Sequence, residues 1–162
     1  MTIKRIELAD KKRIIKFFYQ QWQEEIMVVS SGSYHCSELD GFIYEKDFLI
    51  LGLITYTINN NILEIISLDS IVENQGIGSL LLKTVEEEAK MMGVHKIKII
   101  TTNDNLLALK FYQKKGYRIT KVVPDAVKKA RKIKKTIPLK GNDNIPIWDE
   151  LVLSKQVIDT KC

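Results

Sequence analysis

The segment that decides the fold is residues 62–82, ILEIISLDSIVENQGIGSLLL. Its first half is rich in β-branched residues and predicts a strand, which a short polar break separates from an amphipathic helix over residues 76–92. Gly76 and Gly78 stand at the start of that helix. Because the first amides of a helix have no partner inside it and the helix dipole adds positive charge there, the segment predicts a cradle for an anion such as a diphosphate.

Two other phosphate-binding patterns do not fit this segment. A P-loop requires Gly-Lys-Ser/Thr, whereas Gly78 is followed by Ser79 and Leu80. The dinucleotide fingerprint requires a third glycine three residues after the second, and that position is Leu81. From the segment alone, a purely structural interpretation also stays open, in which Gly76 and Gly78 allow tight packing of helix on strand.

The N-terminal part of the chain predicts one strand, one helix and a loop. A short strand over residues 3–8 leads to Asp10, a suitable N-cap for the helix. Apolar residues at every fourth position predict the buried stripe of this helix. The stripe consists of Ile14, Phe18 and Trp22. Residues 28–39 contain Ser-Ser-Gly-Ser and predict an irregular loop in which a helical turn can occur.

Beyond this loop, strands come first in series and then alternate with helices. Three asparagines at 59–61 tolerate left-handed backbone and predict a hairpin turn. Asn103, Asp104 and Asn105 can cap the next helix, which is predicted to stop at Gly116. The order favours a mixed sheet covered by helices, in one α/β domain spanning residues 1–162. The predicted strands cover residues 42–45, 48–58, 62–68, 96–102, 117–123 and 150–157, and a basic helix covers residues 125–135.

The composition is that of an ordinary globular protein, with 162 residues, 45% hydrophobic and 28% charged. No apolar run approaches the roughly 20 residues that cross a bilayer, and the start has no secretory signal, so we expect no membrane partner. Cys36 and Cys162 match neither a metal spacing nor a disulfide framework, which predicts no metal and a cytoplasmic location. The net charge of +5 favours anionic ligands in general.

Residues 73–78, ENQGIG, resemble the central signature of the GNAT superfamily of N-acetyltransferases, Arg/Gln-x-x-Gly-x-Gly/Ala after a strand. The match holds at both glycines and departs at Glu73, whose carboxylate is expected to weaken cofactor affinity without removing the backbone donors. Residues 105–117, NLLALKFYQKKGY, independently resemble the family's Asn followed about seven residues later by Phe-Tyr-x-x-x-Gly-Phe/Tyr. The resemblance is close over residues 48–123 and extends to a bacterial subgroup of unassigned substrate.

This resemblance implies a GNAT-like mixed α/β fold: a twisted, mostly antiparallel sheet of six to seven strands with a central splayed parallel pair, flanked by four to five helices. It implies acetyl-CoA as co-substrate, in a cleft between residues 62–68 and 96–102, with its acetyl group passed to a primary amine by direct attack in a ternary complex. The implied cofactor-binding residues are Ile66, Ser67, Leu68, Asn74, Gln75, Gly76, Ile77, Gly78, Ser79, Asn105 and Tyr112.

The resemblance also implies catalytic roles. The Leu68 amide is placed to polarise the acetyl carbonyl. Tyr112 is predicted as the general acid for the leaving thiolate, although a role as a core aromatic residue is the plain alternative. For the general base, Glu64 is predicted to face the same side of the strand as Leu68, and Asp69 is the competing candidate. Either carboxylate can instead bind the acceptor or satisfy buried backbone groups, and a solvent base can suffice.

The acceptor amine, from a small molecule or peptide, is predicted to contact residues 29–34 and 145–150. The predicted substrate-binding residues are Ser30, Tyr34, Asp69 and Asp149, with Glu150 as a further carboxylate. Ordinary loop carboxylates are the simpler interpretation. The basic helix predicts a solvated face, so nucleic acid is not the expected partner. The alternatives to the enzyme are a non-catalytic acyl-CoA-binding sensor and a basic RNA-binding domain; a homodimer is compatible with the sequence.

Overall fold

The computed structural model describes residues 2–157, which contain nine strands and four α-helices. The strands are β1 (Thr2–Arg5), β2 (Ile26–Val29), β3 (Gly32–His35), β4 (Asp40–Lys46), β5 (Leu49–Asn59), β6 (Ile62–Ser70), β7 (Lys96–Thr102), β8 (Arg118–Val123) and β9 (Glu150–Gln156). The helices are α1 (Lys11–Trp22), α2 (Ile77–Met91), α3 (Leu106–Lys114) and α4 (Ala126–Ile133). Short 3-10 turns cover Leu8–Asp10, Cys36–Glu38 and Asn142–Asn144.

Seven strands form one sheet in the order β1-β4-β5-β6-β7-β9-β8, and β2 and β3 form a separate hairpin. The sheet is mostly antiparallel, and β6 and β7 form its parallel pair within the described residues. The predicted fold class, a mixed α/β sheet flanked by about four helices, is confirmed. The bounds of β7 and the position of the asparagine turn between β5 and β6 also agree with the prediction.

The chain forms two compact units. The first contains residues up to Met27 and Tyr34–Ile97, and the second contains Val28–Ser33 and Lys98–Gln156. The boundary between them falls inside β7, after Ile97.

In the first unit, helices cover both faces of the sheet. α1 packs on one face, where an apolar cluster forms because Ile14 and Phe18 point inward one helical turn apart. On the other face, α2 lies close to β5 at Gly52, where a Cβ atom would stand 2.5 Å from a methyl group of Ile77. The cluster under α1 consists of Ile14, Phe17, Phe18, Cys36, Ile43, Ile50, Leu53 and Ile66. Cys36 is a free, buried thiol, and Cys162 lies outside the described residues.

In the second unit, β8 and β9 pair antiparallel and α3 and α4 supply the apolar cover. The inward face of α4 consists of Ala126, Val127 and Ala130. The helical period places these positions, three or four residues apart, on one side of the helix. The buried apolar residues of this unit include Tyr112, Tyr117, Ala126, Val127, Ala130, Ile147, Val152 and Leu153.

Two local predictions in the N-terminal part are wrong, and a third holds in position only. The strand predicted over 3–8 ends at Arg5, and a 3-10 turn follows. Asp10 is the N-cap residue of α1, as predicted, but its side chain makes no capping bond; its carboxylate accepts from the side chains of Lys4 and Arg13 and from the Glu7 amide. Trp22 does not complete the buried stripe, since 57% of its surface is exposed.

The loop predicted over residues 28–39 is also wrong, because the structure has the hairpin β2–β3 there, followed by a 3-10 turn. The hairpin turn is fixed at Ser30, whose amide donates to both carboxylate oxygens of Glu150 at 3.0 and 3.2 Å. A bond between residues so far apart in sequence gives no local signal that a pattern search can read.

Candidate active site

The turn between β6 and α2 has an open backbone, as the sequence predicted. Asn74 and Gly76 have left-handed conformations, with φ of 60° and 73°. A Cβ atom added at Gly76 would meet no atom within 4 Å, so the space in front of this residue is open. The Leu80 amide bonds to the Gly76 carbonyl at 3.0 Å, and the amides of residues 77–79 come before it, where a helix offers them no acceptor. The turn is therefore suited to an anion.

β6 contains a β-bulge in the middle of the predicted catalytic strand. Thr55 on β5 is opposite Ser67, and Tyr56 is opposite Ile65, so Ile66 has no counterpart on β5. One extra residue in one strand interrupts the alternation of side chains between the two faces of a sheet.

The bulge changes which side chains of β6 lie together. Glu64 is opposite Thr57, Ser67 is opposite Thr55, and Asp69 is opposite Leu53, so these three side chains share the face covered by α1. Leu68 is opposite Ile54 and lies on the other face. The prediction that Glu64 and Leu68 face the same side is wrong, because it counted two uninterrupted steps along the strand.

Asp69, near the end of β6, has one carboxylate oxygen that is hydrogen-bonded and one that is not. Its Oδ1 atom accepts the indole N–H of Trp22 at 3.0 Å. Its Oδ2 atom is buried and has no hydrogen-bond partner among residues 2–157. Burial raises the pKa of Asp69 to about 6, against a smaller lowering by the Trp22 bond. A buried unsatisfied polar atom costs roughly 1–3 kcal/mol, which makes the site a candidate for function.

The neighbouring polar groups on the same face are held more tightly. The hydroxyls of Thr55 and Ser67 form a hydrogen bond with each other across the two strands. Glu64 is buried, with 7% of its surface exposed. The α1 face of β6 therefore carries a row of polar side chains that ends at Asp69.

In the second unit, α3 carries the two side chains that the sequence singled out there. Asn105 caps the helix by accepting the Ala108 amide at 3.3 Å. Tyr112 is buried, and its ring makes edge-to-face contacts with Phe111 and Tyr117 at centroid distances of 5.1 and 5.6 Å. These contacts fix the orientation of the phenol.

The predicted acceptor residues are divided between the two units. In the second, the bond from Ser30 to Glu150 joins the two predicted acceptor segments, and Glu150 is buried at the start of β9. Asp149 accepts the Asp125 amide at 2.8 Å, just before α4. In the first, Tyr34 packs against the apolar cluster under α1. Glu150 and Asp149 thus hold backbone amides.

Asn103 and Asp104, which the sequence predicts only as possible helix caps, hold the loop before β9. Asn103 accepts the amides of Trp148 and Asp149 at 2.9 and 3.1 Å and donates to the Pro146 carbonyl at 2.9 Å. Asp104 accepts the amide of Asn142 at 3.0 Å. They fasten the loop before β9 to the end of β7. The run Thr-Thr-Asn-Asp-Asn at 101–105 was the available signal, because such side chains bond readily to nearby backbone.

The basic segment forms α4, and one of its cations is structural. Arg131 donates to the carbonyls of Ile137, Pro138 and Ile147, at 3.3, 2.7 and 2.8 Å. Its guanidinium thereby organises the loop that follows the helix. Lys128, Lys129 and Lys132 are exposed, as the predicted solvated face requires.

No helix within the described part of the chain is both long and apolar enough to span a bilayer. Between residues 2 and 157, no group of three or more His, Cys, Asp or Glu side chains is arranged to hold a metal ion.

The parallel strands β6 and β7 are connected through the glycine turn and α2. This arrangement is typical of transferases that use coenzyme A. This chain belongs to the acetyltransferase (GNAT) family, whose model matches residues 10–117. It is 49% identical over 148 residues to the uncharacterized protein YxbD of Bacillus subtilis strain 168. The matched region covers 91% of this chain and 93% of YxbD. The resemblance seen in the two sequence motifs is therefore confirmed.

Solved structures show the same fold at low sequence identity. The IAA acetyltransferase from Bacillus cereus ATCC 14579 matches with a TM-score of 0.73 and 20% identity, over 96% of this chain and 98% of that one. A GNAT family acetyltransferase from Elizabethkingia anophelis, with acetyl-CoA bound, matches with a TM-score of 0.68 and 22% identity, over 96% and 97%.

Proposed function

We propose that this chain transfers the acetyl group of acetyl-CoA to a primary amine of a small molecule or peptide. The observation that carries the proposal is Asp69, a half-buried carboxylate with a buried, unsatisfied oxygen near the end of the strand that leads into the glycine turn. Family membership supports acetyl transfer, and the Elizabethkingia relative was solved with acetyl-CoA bound.

The residues present fit acetyl-CoA as co-substrate. The open space at Gly76 and the amides of residues 77–79 would accept its diphosphate, together with Asn74 and Gln75. The bulge at Ile66 leaves a backbone position outside regular pairing with β5, which supports a role of residues 66–68 in binding the pantetheine chain. Asn105 and Tyr112 are proposed as further contacts. Acetyl-CoA supplies the activated acetyl thioester, and no metal is needed for this chemistry.

The proposed step uses three groups of the chain. Asp69 Oδ2 takes the proton that the ammonium of the acceptor must lose, which frees the nitrogen lone pair to bond to the acetyl carbon. The Leu68 amide stabilises the charge that develops on the acetyl oxygen. As the carbon–sulfur bond breaks, the Tyr112 hydroxyl gives its proton to the sulfur, since an ordinary phenol, of pKa near 10, still carries its proton at neutral pH. The phenolate recovers a proton from solvent after the thiol departs.

Asp69 is proposed as the base in preference to Glu64. A general base works best when its pKa is near the operating pH, and burial raises the pKa of Asp69 to about 6. Glu64 shares its face of the strand and is proposed to contact the acceptor.

The proposal is tested by measuring thiol release from acetyl-CoA against a panel of amines, polyamines, aminoglycosides, amino acids and peptide N-termini. We expect turnover with at least one class. Tyr112→Phe should lower kcat by roughly 10²-fold or more, with little change in the KM for acetyl-CoA. Tyr117→Phe is the matched control, since it removes a hydroxyl from the adjacent ring in the same aromatic stack. Equal losses in the two variants would contradict the role of Tyr112 as acid.

A non-catalytic acyl-CoA sensor is the second candidate, and Glu73 is the feature that favours it, since a carboxylate stands where the family has Arg or Gln. A ligand that binds only the folded state raises its melting temperature. A shift with acetyl-CoA but no thiol release across the panel would support the sensor. No shift at millimolar acetyl-CoA and no release would contradict both proposals.

A further inference from the structure

Trp22 lies at a position where the helix period places core residues, yet it is exposed. Ile14 and Phe18, eight and four residues earlier, are buried at 0% and 2% exposure, whereas Trp22 is 57% exposed. It is the last residue of α1, and the helix ends there because Gln23 adopts a left-handed conformation and donates its amide to the Tyr19 carbonyl at 3.0 Å. The indole is thus left outside the buried stripe of α1.

The indole N–H contacts the carboxylate that the proposed reaction uses. Trp22 Nε1 donates to Asp69 Oδ1 at 3.0 Å, across 47 residues of sequence. A hydrogen bond to one oxygen of a carboxylate favours the orientation that keeps this oxygen at the donor. The bond therefore determines that Oδ2 is the oxygen left for another group.

The surroundings of Asp69 contain few other groups that could fix it. Its cross-strand neighbour Leu53 is apolar and fully buried. The ionisable side chains on the two elements that form this face are Glu64 on β6 and Lys11, Lys12, Arg13, Lys16 and Tyr19 on α1. None of them is among the causes of the pKa shift of Asp69. Two influences act on the pKa of Asp69. Burial is the larger one and raises the pKa, and the hydrogen bond from Trp22 lowers it.

We propose that Trp22 is a positioning residue for the acceptor end of the reaction: its indole N–H holds Asp69 so that Oδ2 receives the proton of the incoming ammonium. This inference rests on the proposed function. Proton balance is simple, because the proton leaves the nitrogen, adds to Oδ2, and returns to solvent after product departs.

The first test needs no acceptor. The chain has two tryptophans, so in Trp148→Phe the emission of Trp22 is observed alone. We expect this emission to change with pH, with a midpoint near 6, the pKa of Asp69. Adding Asp69→Asn should abolish the change. A transition that survives Asp69→Asn, or no transition at all, would overturn the coupling of Trp22 to Asp69.

The second test uses the reaction. Trp22→Phe keeps an aromatic ring but removes the N–H, so we expect the acid limb of the kcat/KM profile to move to higher pH by about one unit. The loss should be near tenfold below pH 6 and small above pH 8. Tyr19→Phe is the matched control, because it removes a hydroxyl from an exposed aromatic ring of the same helix.

The outcomes separate the inference from the proposed function. A profile of Trp22→Phe that superimposes on that of the parent, or a loss equal at all pH values, would overturn the positioning role. If no amine is acetylated, the proposed function fails, while the emission of Trp22 still reports whether it is bound to Asp69. Thermal melting of Trp22→Phe, expected to stay close to the parent because the ring is exposed, verifies that the variant is folded.

Discussion

Each unit contains an aspartate near a strand end, half-buried in the first and fully buried in the second, and the two carboxylates differ in their hydrogen bonds. Asp104 in the second unit is 3% exposed, and its oxygens accept from the hydroxyl of Thr102 and from the amide and side chain of Asn142. Asp69 in the first unit accepts one bond from Trp22 and leaves Oδ2 without a partner in the described part of the chain.

The difference teaches that burial alone does not distinguish a structural carboxylate from a functional one. A carboxylate whose acceptor capacity is filled by backbone and neighbouring side chains stabilises a loop. One that is desolvated but not filled is costly to the fold, and its open oxygen is available to a ligand. Substitutions at these positions should therefore affect different quantities.

The largest expected effect is on activity. Asp69→Asn removes the proton acceptor but keeps the shape of the side chain, so kcat/KM should fall by about 10²–10⁴-fold, the usual contribution of a general base. Steady-state thiol release at pH 7.5 with the best acceptor measures this. Full activity in the variant would assign the base to solvent or to Glu64.

Asp69→Asn should also increase the free energy of unfolding, by an amount that depends on pH. The pKa of Asp69 in the folded chain is about 6, above its ordinary 3.8, so between these values the folded state retains a proton that the unfolded chain has lost. Stability must fall as pH rises through this window, by at most about 3 kcal/mol. Asp69→Asn lacks this fall, and urea unfolding at pH 4 and pH 7 should show a gain for the variant only at pH 7.

A smaller effect, now on the fold, is expected at Asp104. Asp104→Ala leaves the Asn142 amide and the Thr102 hydroxyl without their acceptor, which should cost about 2–4 kcal/mol. Thermal or urea unfolding measures the loss. Any change in activity should follow the loss of folded protein. An Asp104→Ala variant as stable as the parent would contradict the structural role of Asp104, and with it the difference from Asp69.

The smallest expected effect is at Asn105. Asn105→Ala removes the cap of α3 and should cost roughly 0.5–2 kcal/mol, whereas Asn105→Ser should restore most of it, since serine caps helices well. Affinity for acetyl-CoA, measured by calorimetry on both variants, separates the cap from the proposed contact. If serine restores stability but not affinity, Asn105 contacts the ligand as well.

The parts of the fold set by local patterns were predictable. The β-branched run, the polar break and the two glycines predicted β6, the turn and α2, and the asparagine turn at 59–61 predicted the hairpin between β5 and β6. Each of these elements is decided by residues adjacent in sequence, where periodicity and turn chemistry act.

The parts decided by distant contacts were not predictable. The β2–β3 hairpin is held by Glu150, and Trp22 is turned outward toward Asp69, each across many residues of sequence. Periodicity predicted a buried Trp22 because it detects the spacing of apolar residues and not the end of the helix at Gln23. The candidate site was found from motif resemblance, while the open oxygen of Asp69 became visible only with its neighbours in place.

The bulge at Ile66 determines where in β6 a change of length can be absorbed. Deleting Ile66 would remove the extra residue and leave Ser67 opposite Thr55 and Asp69 opposite Leu53, so these side chains would keep their faces. Deleting Leu68 instead, after the bulge, would bring Asp69 opposite Ile54 and turn its carboxylate to the face of α2. A one-residue deletion after the bulge should therefore be far more harmful to activity than deletion of Ile66.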